Sequence, residues 1–294
     1  MIDSFIVTSR ETLEASLVVG IVLAYLHKTN NHHFKKSVYY GIIAGIAASI
    51  LAAILFISLA GDFKGFAEQL FEGTTMLLGA ALITTMIFWM LRQKNISKEI
   101  ESKVEKQLHL SKPIFSHIGI FTLISVAILR EGVETVIFLN AINYASGINF
   151  LGGTIGIISA IIVGYLFFLS SKKINLRIWF NTSSVLLILF AAGLTAHGVH
   201  ELVEANILPP IISPVWDINP KVNADGSFPL LHENGLVGSF MKGLFGYNGN
   251  PDLIEIIAYL LYFGIIFILY KKLISRAEEA EEKIPAQQTP QKDA

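Results

Sequence analysis

The chain has 294 residues, 53% of them AVILMFWYC and only 15% charged, which is more apolar surface than one water-soluble core of this length can enclose. Lys+Arg 22 against Asp+Glu 23 leaves a formal charge of -1, so no global basic field exists to hold nucleic acid. The absence of cysteine excludes a disulfide framework, a thiolate zinc site and a cysteine nucleophile, and the five dispersed methionines argue against a thioether metal site.

A bilayer core of about 30 Å takes about 20 mostly apolar residues per helix. Seven windows of that kind are predicted, at 2–26, 38–60, 73–91, 114–142, 150–171, 178–203 and 253–270. The first is not a cleavable signal peptide: Asp3 stands where a basic stretch is expected, and Arg10, Glu11 and Glu14 interrupt the apolar run. Lysine and arginine mark the cytoplasmic side. Seventeen of the 22 fall in segments 27–37, 92–113, 172–177 and the C-terminal tail, whereas only Lys64, Lys221 and Lys242 fall on the other side. The N-terminus is therefore expected outside and the C-terminus in the cytoplasm.

The expected fold is an all-α polytopic membrane domain over 1–276, followed by a disordered cytoplasmic tail over 277–294 that is acidic and then Gln/Pro-rich. The outer segment 205–252, with its prolines and the string Trp216-Asp217-Ile218-Asn219-Pro220, predicts a cap of turns and short helix.

Charge at bilayer depth costs a few kcal/mol per residue, and two windows carry the same charged string. The first has Arg10-Glu11-Thr12-Leu13-Glu14 and the fourth has Arg130-Glu131-Gly132-Val133-Glu134. On a helix the two glutamates of R-E-x-x-E share a face, and the arginine can pair with the second of them. With three windows between the copies, the two helices enter from opposite sides, as in an inverted 3+3 repeat: about 2–91 and about 114–204. Gly41-x-x-x-Gly45 and Gly152-x-x-x-Gly156 open the second and fifth windows with a spacing that lets helices approach closely. Together these features predict a midplane metal site of Glu11, Glu14, Glu131 and Glu134, with Arg10 and Arg130 as charge partners.

These motifs resemble the iron permeases, the family of the fungal high-affinity iron permease and the bacterial EfeU-type transporters, which carries R-E-G-x-E in helices 1 and 4 of seven. The likeness extends to Phe71-Glu72-Gly73, to Ala191-Ala192-Gly193-Leu194 with Glu201 and Glu204, and to the segment from Leu244 to Pro251. It covers the chain to about Arg276. Thr12 departs from the pattern, standing where the family has glycine. The resemblance implies iron uptake across a bacterial cytoplasmic membrane, ferric iron slightly favoured over ferrous, with the glutamates as ligands or relay groups. It also implies an extracytoplasmic oxidase or iron-binding partner.

Independently of the family, hard cations prefer carboxylate oxygen. Four glutamates and two arginines leave -2 if all are ionised, so the empty site is expected to hold protons that a cation displaces. His197, His200, Glu201 and Glu204 share one face near the outer end of the sixth window, and with Glu72 and Glu255 they form a candidate outer capture site. Asp3, Asp62 and Glu68 read as an acidic, solvated mouth, and His27, His32 and His33 as a solvated cytoplasmic cluster.

No phosphate-binding loop occurs, so ATP is not a built-in drive. The leading reading is a permease, not an enzyme, with no permanently bound cofactor and with the lipid bilayer and iron as its partners. The alternatives are an intramembrane metal-dependent hydrolase on the His/Glu face, a permease for another divalent metal, and a membrane subunit with purely structural Arg-Glu pairs.

Overall fold

The computed structural model describes residues 2–61, 63–92, 96–108, 113–147, 149–169, 176–223 and 225–282. Among these residues there are nine α-helices and no strand. They are α1 (Ile2–Lys28), α2 (Lys35–Ala60), α3 (Phe66–Arg92), α4 (Ile96–Leu108), α5 (Pro113–Ser146), α6 (Phe150–Leu169), α7 (Leu176–Glu204), α8 (Leu236–Phe245) and α9 (Leu253–Glu282). A single 3-10 turn, His32–Phe34, joins α1 to α2.

Each of the seven apolar windows falls on one long helix, residues 170–171 of the fifth lying outside the described residues. Four stretches of the described residues are long and apolar enough to cross a membrane: His32–Ala60, Phe66–Leu91, Thr182–Glu204 and Leu253–Leu273. Of the other three windows, those on α1 and α5 carry the two charged motifs, and that on α6 counts as a shorter apolar stretch, Phe150–Leu166. The chain is an integral membrane protein, and α2 shows why: Tyr39, Ile43, Ile50, Leu51 and Leu55 all point away from the protein, an arrangement that water would penalise and lipid accepts.

Three expectations need correction. Asp3, expected at a solvated mouth, is buried on α1, and its Oδ2 accepts from Ser146 Oγ of α5 at 3.0 Å. Segment 92–113, read as a connecting loop, contains helix α4. Its charge hides a four-residue apolar spacing, and Ile100 and Val104 are buried against Val22, Leu26, Phe34, Val38, Ile120 and Ile124. The tail was expected to be disordered from 277, but α9 continues to Glu282, because Ala and Glu are strong helix formers. Asp62, Lys94, Lys112, Lys172, Lys173 and residues 283–294 lie outside the described residues.

The helices pack in a crossed pattern. α1 lies along α6, α2 lies along α5 to the same extent, α3 lies along α7, and α1 meets α5. The small-residue spacings sit at these crossings. A Cβ on Gly45 of α2 would come within 2.6 Å of Ile128 Cβ and 2.9 Å of the Ser125 carbonyl oxygen of α5. One on Gly156 of α6 would strike Thr8 Oγ1 and lie 2.7 Å from the Phe5 carbonyl oxygen of α1. Only glycine permits either approach. In segment 205–252 the turns lead into α8, which ends at Gly246 in a left-handed conformation, φ 65°, pressed onto Gly193 of α7.

Candidate metal centre

α1 and α5 cross where each carries its R-E-x-x-E string. Glu11, Glu131 and Glu134 each bring a carboxylate oxygen within 4.8 Å of the others. Glu11 and Glu131 are buried. Neither oxygen of Glu11, nor Oε2 of Glu131, has a hydrogen-bond partner among the described residues. Buried carboxylate oxygens without donors are costly, and three carboxylates held this close repel one another. A cation between them removes both costs.

The fourth predicted ligand has a different place. Glu14 Oε1 accepts from Arg10 Nε at 3.2 Å, and Glu14 lines a cavity of about 270 Å³ together with Trp89, Met90, Arg130, Glu131 and the α4 residues Glu99 and Lys103. The second motif repeats the pairing, since Arg130 Nε donates to Glu134 Oε1 at 2.9 Å. The two arginines differ in their surroundings: Arg10 is 0% exposed and Arg130 47%. Arg10 Nη2 donates to Met90 Sδ at 2.8 Å, its Nη1 has no partner among the described residues, and Arg130 Cζ lies 5.3 Å from the centre of the Trp89 ring. The dispersal of the methionines along the chain thus does not keep a thioether out of the cavity.

Thr12 leaves α1 unbroken from Ile2 to Lys28. At the matching position of α5, Gly132 is required: a Cβ there would collide with the Ser49 side chain of α2.

Where α7 ends and α9 begins, the structure unites part of the candidate capture site. His200 Nδ1 lies 2.9 Å from Glu255 Oε1 and 3.8 Å from Asp252 Oδ2, and its Nε2 lies 3.2 Å from Glu204 Oε1. His200, Asp252 and Glu255 have the mutual spacing of metal ligands. Asn248 donates to Glu255 at 2.9 Å, and Gln69 of α3 donates to Glu204 at 3.1 Å. His197 is buried nearby on α7 with Nε2 unpartnered among the described residues. Glu201 packs its Cβ 3.1 Å from the Cβ position of Gly73, beside Glu72 in sequence, and neither glutamate belongs to the three-residue group. Asp252 and Asn248 were missed by the sequence reading. The available signal was Asp252-x-x-Glu255 before an apolar run, a helix-start pattern, and the Asp252 backbone N–H does donate to Glu255 Oε1 at 2.9 Å.

Around the turn that joins α1 to α2, His33 and His117 have ring centres 5.9 Å apart, and His27 and His32 5.0 Å.

The family model described as the Iron permease FTR1 family matches residues 1–278. The chain belongs to that family. It is also similar to an uncharacterized protein of Archaeoglobus fulgidus, 32% identical over 283 residues that cover 95% of this chain and 99% of that protein. Proteins named ferrous iron permease EfeU are 26% identical in Yersinia pestis, covering 92% of this chain and 93% of that one, and 27% identical in Escherichia coli, covering 89% and 92%. No solved structure matches the chain. The family consists of iron transporters, which sets aside the intramembrane hydrolase.

Proposed function

We propose that the protein imports iron in the ferrous form, through a midplane centre built by Glu11, Glu131 and Glu134, with Glu14 on the cavity side and Arg10 and Arg130 limiting the carboxylate repulsion. The observation that carries this reading is the convergence of three carboxylates from two charged helices, with oxygens left unpartnered, in a member of an iron permease family. The ferrous choice replaces the ferric lean of the sequence reading. It is supported by the names of the bacterial relatives and by His200 at the outer group, since imidazole suits iron.

The same reading has seven membrane helices, α1, α2, α3, α5, α6, α7 and α9, with the N-terminus outside and the C-terminus in the cytoplasm. Two inverted repeats are supported by the crossings: Ile128 and Ser125 oppose Gly45, and Thr8 and Phe5, each 120 positions earlier, oppose Gly156. Inverted repeats place substrate at the repeat interface near midplane, where the centre lies. His200, Glu204, Asp252 and Glu255 capture the ion outside, with Glu72 and Glu201 adding negative charge on the approach.

The test is uptake of Fe2+, kept reduced, into vesicles that contain only the purified protein. Uptake that is saturable and lost in Glu131→Gln supports the reading. Vesicles that take up no more iron than protein-free controls would overturn it.

A further inference from the structure

Two consecutive residues of α3 engage the arginines of both motifs. Met90 Sδ accepts from Arg10 Nη2 at 2.8 Å, and the Trp89 ring lies 5.3 Å from Arg130 Cζ. Both side chains line the cavity beside Glu14 and Glu131. A thioether is a weak acceptor, and an indole attracts a cation only through its face. Each guanidinium is therefore gripped on one side by the glutamate four residues on and on the other by a neutral, polarizable group.

Neutral partners are an unexpected choice for two arginines so close to free carboxylate oxygen. Charge-assisted pairing is stronger than either contact, and Arg130 Nε already stands 3.8 Å from Glu131 Oε1, while Glu11 has both oxygens unpartnered among the described residues. Released from α3, Arg10 has Glu11 as its best free acceptor, and Arg130, already bonded to Glu134, has Glu131. Once paired there, either arginine occupies the oxygens a cation needs and cancels the charge that attracts it.

We propose that Trp89 and Met90 are positioning residues: Met90 holds the Arg10 guanidinium off the unpartnered oxygens of Glu11, and Trp89 keeps Arg130, whose Nε stays on Glu134, from closing onto Glu131, so that the Glu11 and Glu131 oxygens remain free for the ion. This rests on the permease reading above and adds to it a third helix, α3, as a determinant of affinity.

The experiment is a set of Fe2+ titrations under anaerobic conditions on the purified full chain: wild type, Met90→Leu, Arg10→Gln, the double variant, Trp89→Leu and Trp89→Phe. Met90→Leu keeps volume and apolarity, so a packing role costs the same with or without Arg10. A positioning role acts only through Arg10. Expected is a loss of about tenfold in affinity for Met90→Leu, the scale of coupling between residues in contact, and less than about twofold for the same change in the Arg10→Gln background. Trp89→Phe, which keeps a π face, should retain binding, and Trp89→Leu should lose about tenfold. Equal losses in both backgrounds, no loss in Met90→Leu, abolition of binding by Arg10→Gln, or equal losses in Trp89→Phe and Trp89→Leu would each overturn the proposal while leaving the permease reading intact. Wild-type protein that binds no Fe2+ would remove the centre itself, and with it both readings.

Discussion

Glu11 on α1 and Glu131 on α5 present carboxylate oxygens to each other within 4.8 Å, although each stands next in sequence to an arginine. Both arginines direct Nε to the second glutamate of their own motif, Glu14 or Glu134. The strings are therefore not self-neutralising. Each helix uses one glutamate to hold its arginine and brings another to the shared centre, with Glu134 serving in both capacities.

This division of labour gives the first expectation. Glu131→Gln removes charge from a buried oxygen pair at the centre and should lower Fe2+ uptake by more than about tenfold, the lower end of what even indirect ligand partners show. Glu14→Gln, which loosens Arg10 and alters the cavity wall, should lower uptake less. Comparable uptake by Glu131→Gln and wild type, at equal protein in the vesicles, would return the motifs to structural ties.

Metal and protons compete for the same carboxylate oxygens, so iron affinity should fall as pH drops through the carboxyl range. Calorimetry in buffers of different ionisation enthalpy measures the proton count directly. Binding that releases no protons between about pH 5 and 7 would show that the empty centre is already fully ionised.

The outer group makes a different demand on kinetics. If His200, Asp252 and Glu255 capture the ion before it reaches midplane, Asp252→Asn with His200→Ala should raise the half-saturation concentration by about tenfold or more. Maximal rate should change little. A lowered maximal rate with unchanged half-saturation would mark the group as a tie between α7 and the start of α9.

Gly132 tests the crossing of α2 and α5. Gly132→Ala should destabilise the protein by about 1–3 kcal/mol, the usual cost of forcing a methyl into a packed contact, because its Cβ meets the Ser49 side chain. Ser49→Gly in the same chain should recover most of the loss. Thermal unfolding in detergent reports both.

Because the chain has no cysteine, topology can be read from single substitutions at exposed positions. Asn223→Cys should label from outside in intact cells, and Ser97→Cys on α4 only after permeabilisation. Labelling of Ser97→Cys in intact cells would reverse the orientation.

The apolar windows were legible because a bilayer imposes length and hydropathy on a helix independently of its neighbours, and the charged motifs were legible because they violate that rule. What escaped depends on neighbours. α4 looks like a soluble, charged connector, and only Ile100, Val104 and Leu108, four apart, betray a buried face. Trp89 and Met90 are two apolar residues in an apolar helix, and nothing in the local string says that two arginines from other helices reach them. Glu14 and Glu134 hold corresponding places in near-identical strings, and each pairs with its own arginine, yet Glu14 lines the cavity and Glu134 belongs to the centre. That difference arises from how the helices cross.

The crossed packing also bears on biogenesis. α1 ends at Lys28, while α6, the helix that covers its face, begins only at Phe150. In the order of synthesis α1, with Arg10, Glu11 and Glu14, therefore comes well before the helix that covers it. Only the Arg10-Glu14 pair offers relief within the helix, so order of insertion and order of assembly part company, and closure depends on contacts far apart in sequence. A chain that ends after α3 would therefore lack both α5 and α6, the helices that cover the charged face of α1.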